Sequence, residues 1–426
     1  MDHNKECDLN ISNYISEINT TEIRSVSDFL NVLKDEVVDI NPKYKKRVFR
    51  GLSKKSYINI DYPSIYRNPE NDSTFEPFVK YEHEMFYDLV SRFPEQFSSC
   101  NNTFEHLVMM QHYGFPTRLL DVTTNPLVAL YFACVNGQGY VDNDEDGAVT
   151  IYDLFEINIH NYESNTITIL SNLAKINQSY TPFYAYYNLL VKIIDSLQNG
   201  ANPYRGFLLS NIFIACIKPL ITQFDLLYKT EKEDILRKFL TYERERDKIK
   251  IDQLKTELCL LIENEKRDYK LIYNKLLEIK DFFQYIKELH FNRSGSLDQE
   301  LTLYDHILED KKYSISKLVY PEDIIGVFYV RPKLNNPRII NQNGAFLLFG
   351  FAGQDKTKLD PPRCHYRLKA TKKYTNHPID IIIPKQYKQV IHDELKQLGI
   401  HQAFLFPEID KVAQVITKEY KIKKCQ

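Results

Sequence analysis

Tryptophan is absent from the 426 residues, and the 7 cysteines (Cys7, Cys100, Cys134, Cys216, Cys259, Cys364 and Cys425) are scattered, with no C-x-x-C pair. An odd, unclustered set argues against a disulfide framework and against a zinc site, and makes a reducing cytoplasm the simplest setting. Charge of one sign is lacking too. The formal net charge is −2, so no global field points to nucleic acid or to an anionic membrane. No window holds the roughly 18 apolar residues of a membrane helix, and the polar start MDHNKECDLN has no signal-peptide pattern. No Gly-rich phosphate loop, no H-E-x-x-H and no Ser-x-Gly or Cys/His arrangement occurs. These absences disfavour P-loop, metal-dependent and nucleophilic chemistry. The chain contains no internal repeat and no low-complexity tract.

What is present is an ordinary globular composition, 43% hydrophobic and 26% charged, rich in tyrosine at 30 residues. With abundant Asn, Lys and Ile, it resembles the product of an AT-rich bacterial genome. The most informative stretch is 102–134, NTFEHLVMMQHYGFPTRLLDVTTNPLVALYFAC. Asn102 or Thr103 can cap a helix with Glu105 in its first turn. Gly114 can enter the left-handed region and Pro116 prevents resumption. A buried-looking connection follows, with Arg118 and Asp121 flanking Leu119 and Leu120. Thr124 or Asn125 then caps a second helix that has Pro126 at its first position. The ends of rigid elements thus carry Gln111, His112, Thr117, Arg118, Asp121, Thr123 and Thr124, an arrangement suited either to a site or to a polar network between packed helices.

Around this stretch, residues 1–24 read as a loose lead-in, and Ser27 as the cap of a short helix ended by Asn41-Pro42. Residues 47–52 read as a short strand and 75–93 as a helix. Residues 137–147 form an acidic loop, 148–154 a strand, and 157–182 follow no clear pattern. From about 183 to 292 glycine and proline are few and Leu and Ile recur at helical spacing without a clean heptad, which predicts an inserted hairpin or small bundle. Strands return at 324–331, 345–351 and 379–383, followed by two helices.

Two positions stand out chemically. Arg50-Gly51 at a strand end would let a phosphate approach the backbone while the guanidinium binds it; alternatively Arg50 pairs with a core acid such as Asp121. The dipeptide recurs at Arg205-Gly206, so it is not specific by itself. His112, at a helix C-terminus, is favoured as a cation by the helix dipole or acts neutral as donor or base; a structural role is the alternative.

Val48-Phe49-Arg50-Gly51, Pro63-Ser64-Ile65-Tyr66-Arg67, the run from Gln111 to Pro126 and Ala129-Leu130-Tyr131-Phe132-Ala133 resemble the FRG-domain family, named for its Phe-Arg-Gly motif. Asp146-Gly147-Ala148-Val149, Gln342-x-Gly344-x-Phe346 and Leu405-Phe406-Pro407 are similar to its later elements. Val122 stands where the family usually carries Trp. The layout also resembles, more distantly, the ADP-ribosyltransferase fold. That resemblance implies an α+β protein with a mixed sheet and flanking helices, interrupted by the helical insertion. The expected divisions are 1–44, a lead-in and helix; 45–155, the first part of the FRG domain; 156–320, the insertion; and 321–426, the second part.

The same resemblance implies that NAD or a related nucleotide is bound, for ADP-ribosyl transfer or NAD hydrolysis in bacterial antiphage defence or toxin action. Phe49, Arg50, Gly51, Gln111, Thr117, Arg118, Thr123 and Thr124 would hold the nucleotide, and His112, Asp121 and Gln342 would serve the chemistry. No metal is implied. Gln342 stands where that fold wants an acid, and Glu408 is the nearest downstream acid within a family-like motif. The rival expectation is a non-enzymatic ligand-sensing or interaction module, with the insertion as the surface for a protein partner.

Overall fold

A computed structural model describes residues 21–35, 44–67, 77–176, 326–351, 353–354, 359–360 and 379–423, together with Gln253, Leu277, Glu278 and Asp310. Apart from Gln253, Leu277 and Glu278, the helical block expected over 183–292 lies outside the described residues. So do residues 1–20, 68–76, 177–252 and Asn41-Pro42.

The fold is α+β, as expected. Eight strands form one mixed sheet: β1 (Thr21–Glu22), β2 (Tyr44–Leu52), β3 (Leu119–Thr123), β4 (Gly147–Phe155), β5 (Ile159–Asn161), β6 (Val327–Arg331), β7 (Gly344–Phe349) and β10 (Asp380–Ile383). A separate short pair joins β8 (Gly353–Gln354) to β9 (Leu359–Asp360). The spatial order in the large sheet is β1-β10-β4-β2-β3-β7-β6-β5. The β1/β10 and β5/β6 pairs are parallel and the others antiparallel. Both sequence parts of the domain therefore interleave in one sheet.

Helices cover it: α1 (Val26–Asp35), α2 (Glu82–Arg92), α3 (Pro94–Phe97), α4 (Thr103–His112), α5 (Pro126–Cys134), α6 (Asn165–Asn172), α7 (Pro337–Asn341), α8 (Lys388–Gln397), α9 (Gln402–Leu405) and α10 (Ile409–Lys423). Among the described residues no helix is long and apolar enough to cross a membrane.

Several expectations change. Thr21 and Glu22 belong to the sheet rather than to a loose lead-in, pairing with Ile381 and Ile382. The hydroxyl of Ser25, not Ser27, accepts the N–H of Asp28 at the start of α1. The connection after Pro116 is the central strand β3, whose exposed Asp121 sits between buried apolar neighbours. The patternless segment after residue 156 contains β5 and the buried helix α6, so the sheet body continues past residue 155. The α6 residues Ile167 and Leu170 pack against Phe104, Leu107 and Phe346. Tertiary burial there overrides a sequence of Thr, Ser and Asn with weak helical preference.

One geometric feature dominates. The β2 strand pairs with β4 along nearly its whole length, but with β3 only through Phe49 and Thr123. Beyond that pair Arg50–Leu52 and Leu119–Val122 do not pair with each other, each keeping only its partner on the far side, β4 and β7. The sheet is thus two four-stranded halves joined at one point, with an opening beside it. The helix α5 seals one face of the junction. It is apolar on every side, and Val128, Ala129, Leu130, Tyr131, Ala133 and Cys134 are buried, as befits a helix enclosed all round.

Its approach is close because glycine faces alanine. A Cβ on Gly51 would fall 1.9 Å from the carbonyl oxygen of Ala129, and one on Gly147 would fall 2.1 Å from that of Ala133. The missing side chain of Gly51 therefore makes room for α5, rather than for a phosphate as the sequence suggested. The clash is with backbone and has no soft partner to move, so Gly51→Ala should cost about 3 kcal/mol, the upper part of the usual overpacking range. Urea denaturation measures this directly; a loss below about 0.5 kcal/mol would show that α5 does not hold this position.

Candidate functional site at the opening of the sheet

Local chemistry delivers the side chains to the opening. The side chain of Asn102 caps α4 by accepting the N–H of Glu105 at 2.9 Å. Gly114, at φ 77°, ends the helix, with the N–H of Phe115 reaching back to the Met110 carbonyl at 3.0 Å. The chain then turns into β3. The side chain of Asn125 accepts the N–H of Leu127 at 3.0 Å, and Pro126 opens α5.

At the opening itself, three polar side chains are linked. The Thr117 hydroxyl donates to Gln111 Oε1 at 2.6 Å, and Gln111 Nε2 donates to Asp121 Oδ2 at 2.8 Å. This chain ties the end of α4 to β3 and leaves the Asp121 carboxylate exposed. Asp121 does not pair with Arg50 or Arg118. Arg50 Nη1 is buried and has no hydrogen-bond partner among the described residues.

Arg67 lies close by. Its guanidinium donates to the Tyr62 carbonyl at 2.8 and 3.2 Å. Burial and the charge of Arg50 push its pKa down to about 10, against the pull of Tyr62, Tyr57 and Asp121. It remains a cation at neutral pH. The opening therefore gathers two guanidinium groups and one carboxylate. Arg67 was missed as a site residue, although its place in the Pro63–Arg67 motif was the available signal.

The other residues singled out in the sequence do different work. Arg118 is 4% exposed. Its Nη2 lies 2.6 Å from Glu82 Oε2, and its Nη1 donates to the Tyr66 hydroxyl and the Gly350 carbonyl, both at 2.9 Å. Tyr66 in turn donates to Gly350. This buried knot fastens α2, β3 and the turn at Ser64–Tyr66 together and commits both terminal nitrogens of Arg118 to the fold. Burial pushes the Glu82 carboxyl up from its ordinary 4.5, while the charge and hydrogen bond of Arg118 pull it down. The signal for Glu82 was an acid one helical turn before the inward-facing Phe86.

Phe49 is buried in the core under α5. Thr123 donates to the Gln342 backbone carbonyl at 2.7 Å and accepts the Asn125 N–H at 3.0 Å, so it serves the start of α5. Thr124 makes a longer contact with the Asn343 carbonyl, 3.4 Å. Gln342 Nε2 donates to the Leu405 carbonyl at 2.9 Å, which engages its amide in packing.

His112 faces a separate cavity of about 440 Å³, whose lining includes Glu408 and Arg338 but none of Arg50, Asp121 or Gln342. Its Nε2 lies 3.6 Å from Glu408 Oε1. Burial, with Arg338 adding to it, holds the His112 pKa below the ordinary 6.5 against Glu408 and Asp410. The helix dipole expected to favour the imidazolium is outweighed by loss of solvent. Among the described residues no group of three or more His, Cys, Asp or Glu is arranged to hold a metal.

Two outcomes follow from these contacts. Glu82→Ala strands the buried Arg118 charge, so unfolding free energy should drop by about 3–5 kcal/mol; a drop under 1 kcal/mol in denaturant titration would mean the knot is not buried as described. For His112 the folded pKa lies below the unfolded one. The unfolded chain then binds more protons just below pH 6.5, and this part of the stability is lost as pH falls through that region. Stability measured at pH 7.5 and pH 5 should decline less in His112→Gln than in the wild type; equal declines would contradict the assignment.

Residues 45–140 match the family model described as the FRG domain. No curated protein and no solved structure matches the chain. The matched segment contains β2 from residue 45, α4, β3 and α5, that is, the single joint between the half-sheets and the two strand edges that part beside it. The chain therefore carries an FRG domain over this part of its length.

Proposed function

We propose that the opening beside the Phe49–Thr123 joint binds a phosphate-bearing nucleotide, NAD or a close relative. The observation that carries this reading is the buried Nη1 of Arg50, without a described hydrogen-bond partner and close to a second guanidinium. Two neighbouring, partly buried cations repel one another, and an anion with several acceptor oxygens between them relieves that cost. A diphosphate has that chemistry. The resemblance to ADP-ribosyltransferases would also place NAD against the Arg50–Gly51 step.

In this reading Asp121 stands where charge develops. Cleavage breaks the bond from ribose C1 to the nicotinamide nitrogen, and the electron pair leaves with nicotinamide. Water or an acceptor hydroxyl then adds at C1 and gives up its proton. A carboxylate stabilises the oxocarbenium-like state between these events. ADP-ribosyl transfer or NAD hydrolysis, in bacterial antiphage defence or toxin action, is the corresponding activity. Gln342, bound to Leu405, and His112, facing the other cavity, would take no direct part in that step.

One observation favours binding without turnover. The late position that should carry an acid carries Gln342, and its amide serves the packing of α9. A nucleotide sensor with a degenerate site fits that fact.

Calorimetric titration with NAD separates these readings. Arg50→Ala should weaken binding by at least tenfold, the effect of losing a charge-assisted hydrogen bond, with unchanged denaturation. Asp121→Asn should retain binding and lose nicotinamide release. Release that survives in Asp121→Asn contradicts the assigned chemistry, and binding that survives in Arg50→Ala contradicts the site itself. Binding with no release by the wild type selects the sensor.

A further inference from the structure

The cavity beside His112 is a second candidate for a small molecule, and the nucleotide reading of the opening does not use it. Its volume of about 440 Å³ falls within the usual range of ligand pockets. Phe104, Val108 and Met109 of α4 form an apolar wall, with Pro332, Pro337 and Pro407 contributing from other segments. Two polar groups from separate elements lie in the lining with capacity to spare. Neither carboxylate oxygen of Glu408 has a hydrogen-bond partner among the described residues, and both are buried. The Arg338 guanidinium lies 4.6 Å from the centre of the Phe406 ring and forms no hydrogen bond or ion pair among the described residues.

Other charges around the cavity are already matched. Lys333 Nζ lies 3.6 Å from Glu105 Oε1, and Glu105 Oε2 accepts the N–H of Asn101. His112 Nε2 lies 3.6 Å from the Glu408 carboxylate, and burial disfavours its charged form. The cavity thus offers a free acceptor, a free donor and flat apolar walls, with no net charge to attract an ion.

We propose that this cavity binds a neutral planar ring bearing a primary carboxamide, with the amide N–H₂ donating to Glu408 and the amide oxygen accepting from Arg338. A carboxylate in place of the amide would face Glu408 with like charge and no donor. An amine alone would leave Arg338 unused.

The test uses nicotinamide as the simplest such amide and nicotinic acid as its near-isosteric anion, each followed by saturation-transfer NMR and calorimetry on the full chain. Nicotinamide should bind, and nicotinic acid should bind at least tenfold more weakly. Glu408→Gln and Arg338→Gln should each weaken nicotinamide at least tenfold, whereas Arg50→Ala should leave it unchanged. That last arm separates this proposal from the nucleotide reading, because Arg50→Ala is the variant expected to lose NAD. Displacement of nicotinamide by intact NAD would identify the amide as the end of a dinucleotide; no displacement would identify a free amide, and either supports the site. No binding of nicotinamide, equal binding of nicotinic acid, or indifference to both Glu408→Gln and Arg338→Gln overturns the proposal. The comparison of the two ligands on wild-type protein holds even if a variant fails to fold.

Discussion

The molecule depends on a single residue pair. Phe49 opposite Thr123 is the only register by which one half of the eight-stranded sheet meets the other. Ladder hydrogen bonds normally make such a junction stable; here one pair must be reinforced by everything around it. The helix α5 supplies the reinforcement on one face, drawn in by Gly51 and Gly147 until its backbone touches two strands. On the other face the Ile65 and Tyr66 turn packs with Val48, Leu120, Val122 and Tyr152. The Arg118–Glu82–Tyr66 knot holds that turn in place. A sheet closed by a full ladder would not need these supports, and it would leave no opening.

The opening gives the side chains singled out in the sequence two distinct fates. Arg118, Thr123, Gln342 and Phe49 are consumed in building the joint. Arg50, Arg67, Asp121, Gln111 and Thr117 remain at its edge. A buried guanidinium nitrogen lacking a partner is costly. Arg118 has Glu82, and Arg47 makes a bidentate pair with Asp153 at 2.6 and 2.8 Å. Arg50 Nη1, like the Glu408 carboxylate, has no such partner among the described residues, and of the two Arg50 is the cation, which is why the nucleotide reading rests on it rather than on the motif's more numerous polar residues.

Much of this was legible in the sequence. The caps Asn102 and Asn125, the stop at Gly114 and Pro126 at the first position of α5 all act locally, and local chemistry reads directly from neighbours. A sheet drawing strands from both ends of the chain also followed from the apolar runs near 327 and 380, and its mixed character from the family resemblance. What failed was long-range. LLDVT looked like a connection because a charge interrupts its apolar run, and only pairing with β7 makes it a central strand. Arg118 finds Glu82 36 residues earlier in the chain, a match that no spacing rule predicts. Gly51 looked like room for a ligand because α5, which needs that room, lies nearly eighty residues downstream. His112 was placed correctly at a helix end, yet its surroundings, Glu408 and Arg338, come from the last hundred residues.

The central claim is that a phosphate-bearing nucleotide sits in the opening between the half-sheets. A crystal structure of the protein grown with NAD or ADP-ribose tests it most directly. The account predicts the diphosphate against Arg50 and Arg67 with the adjoining ribose near Asp121. A nucleotide seated elsewhere, or an opening left without ligand at saturating concentration, would contradict it.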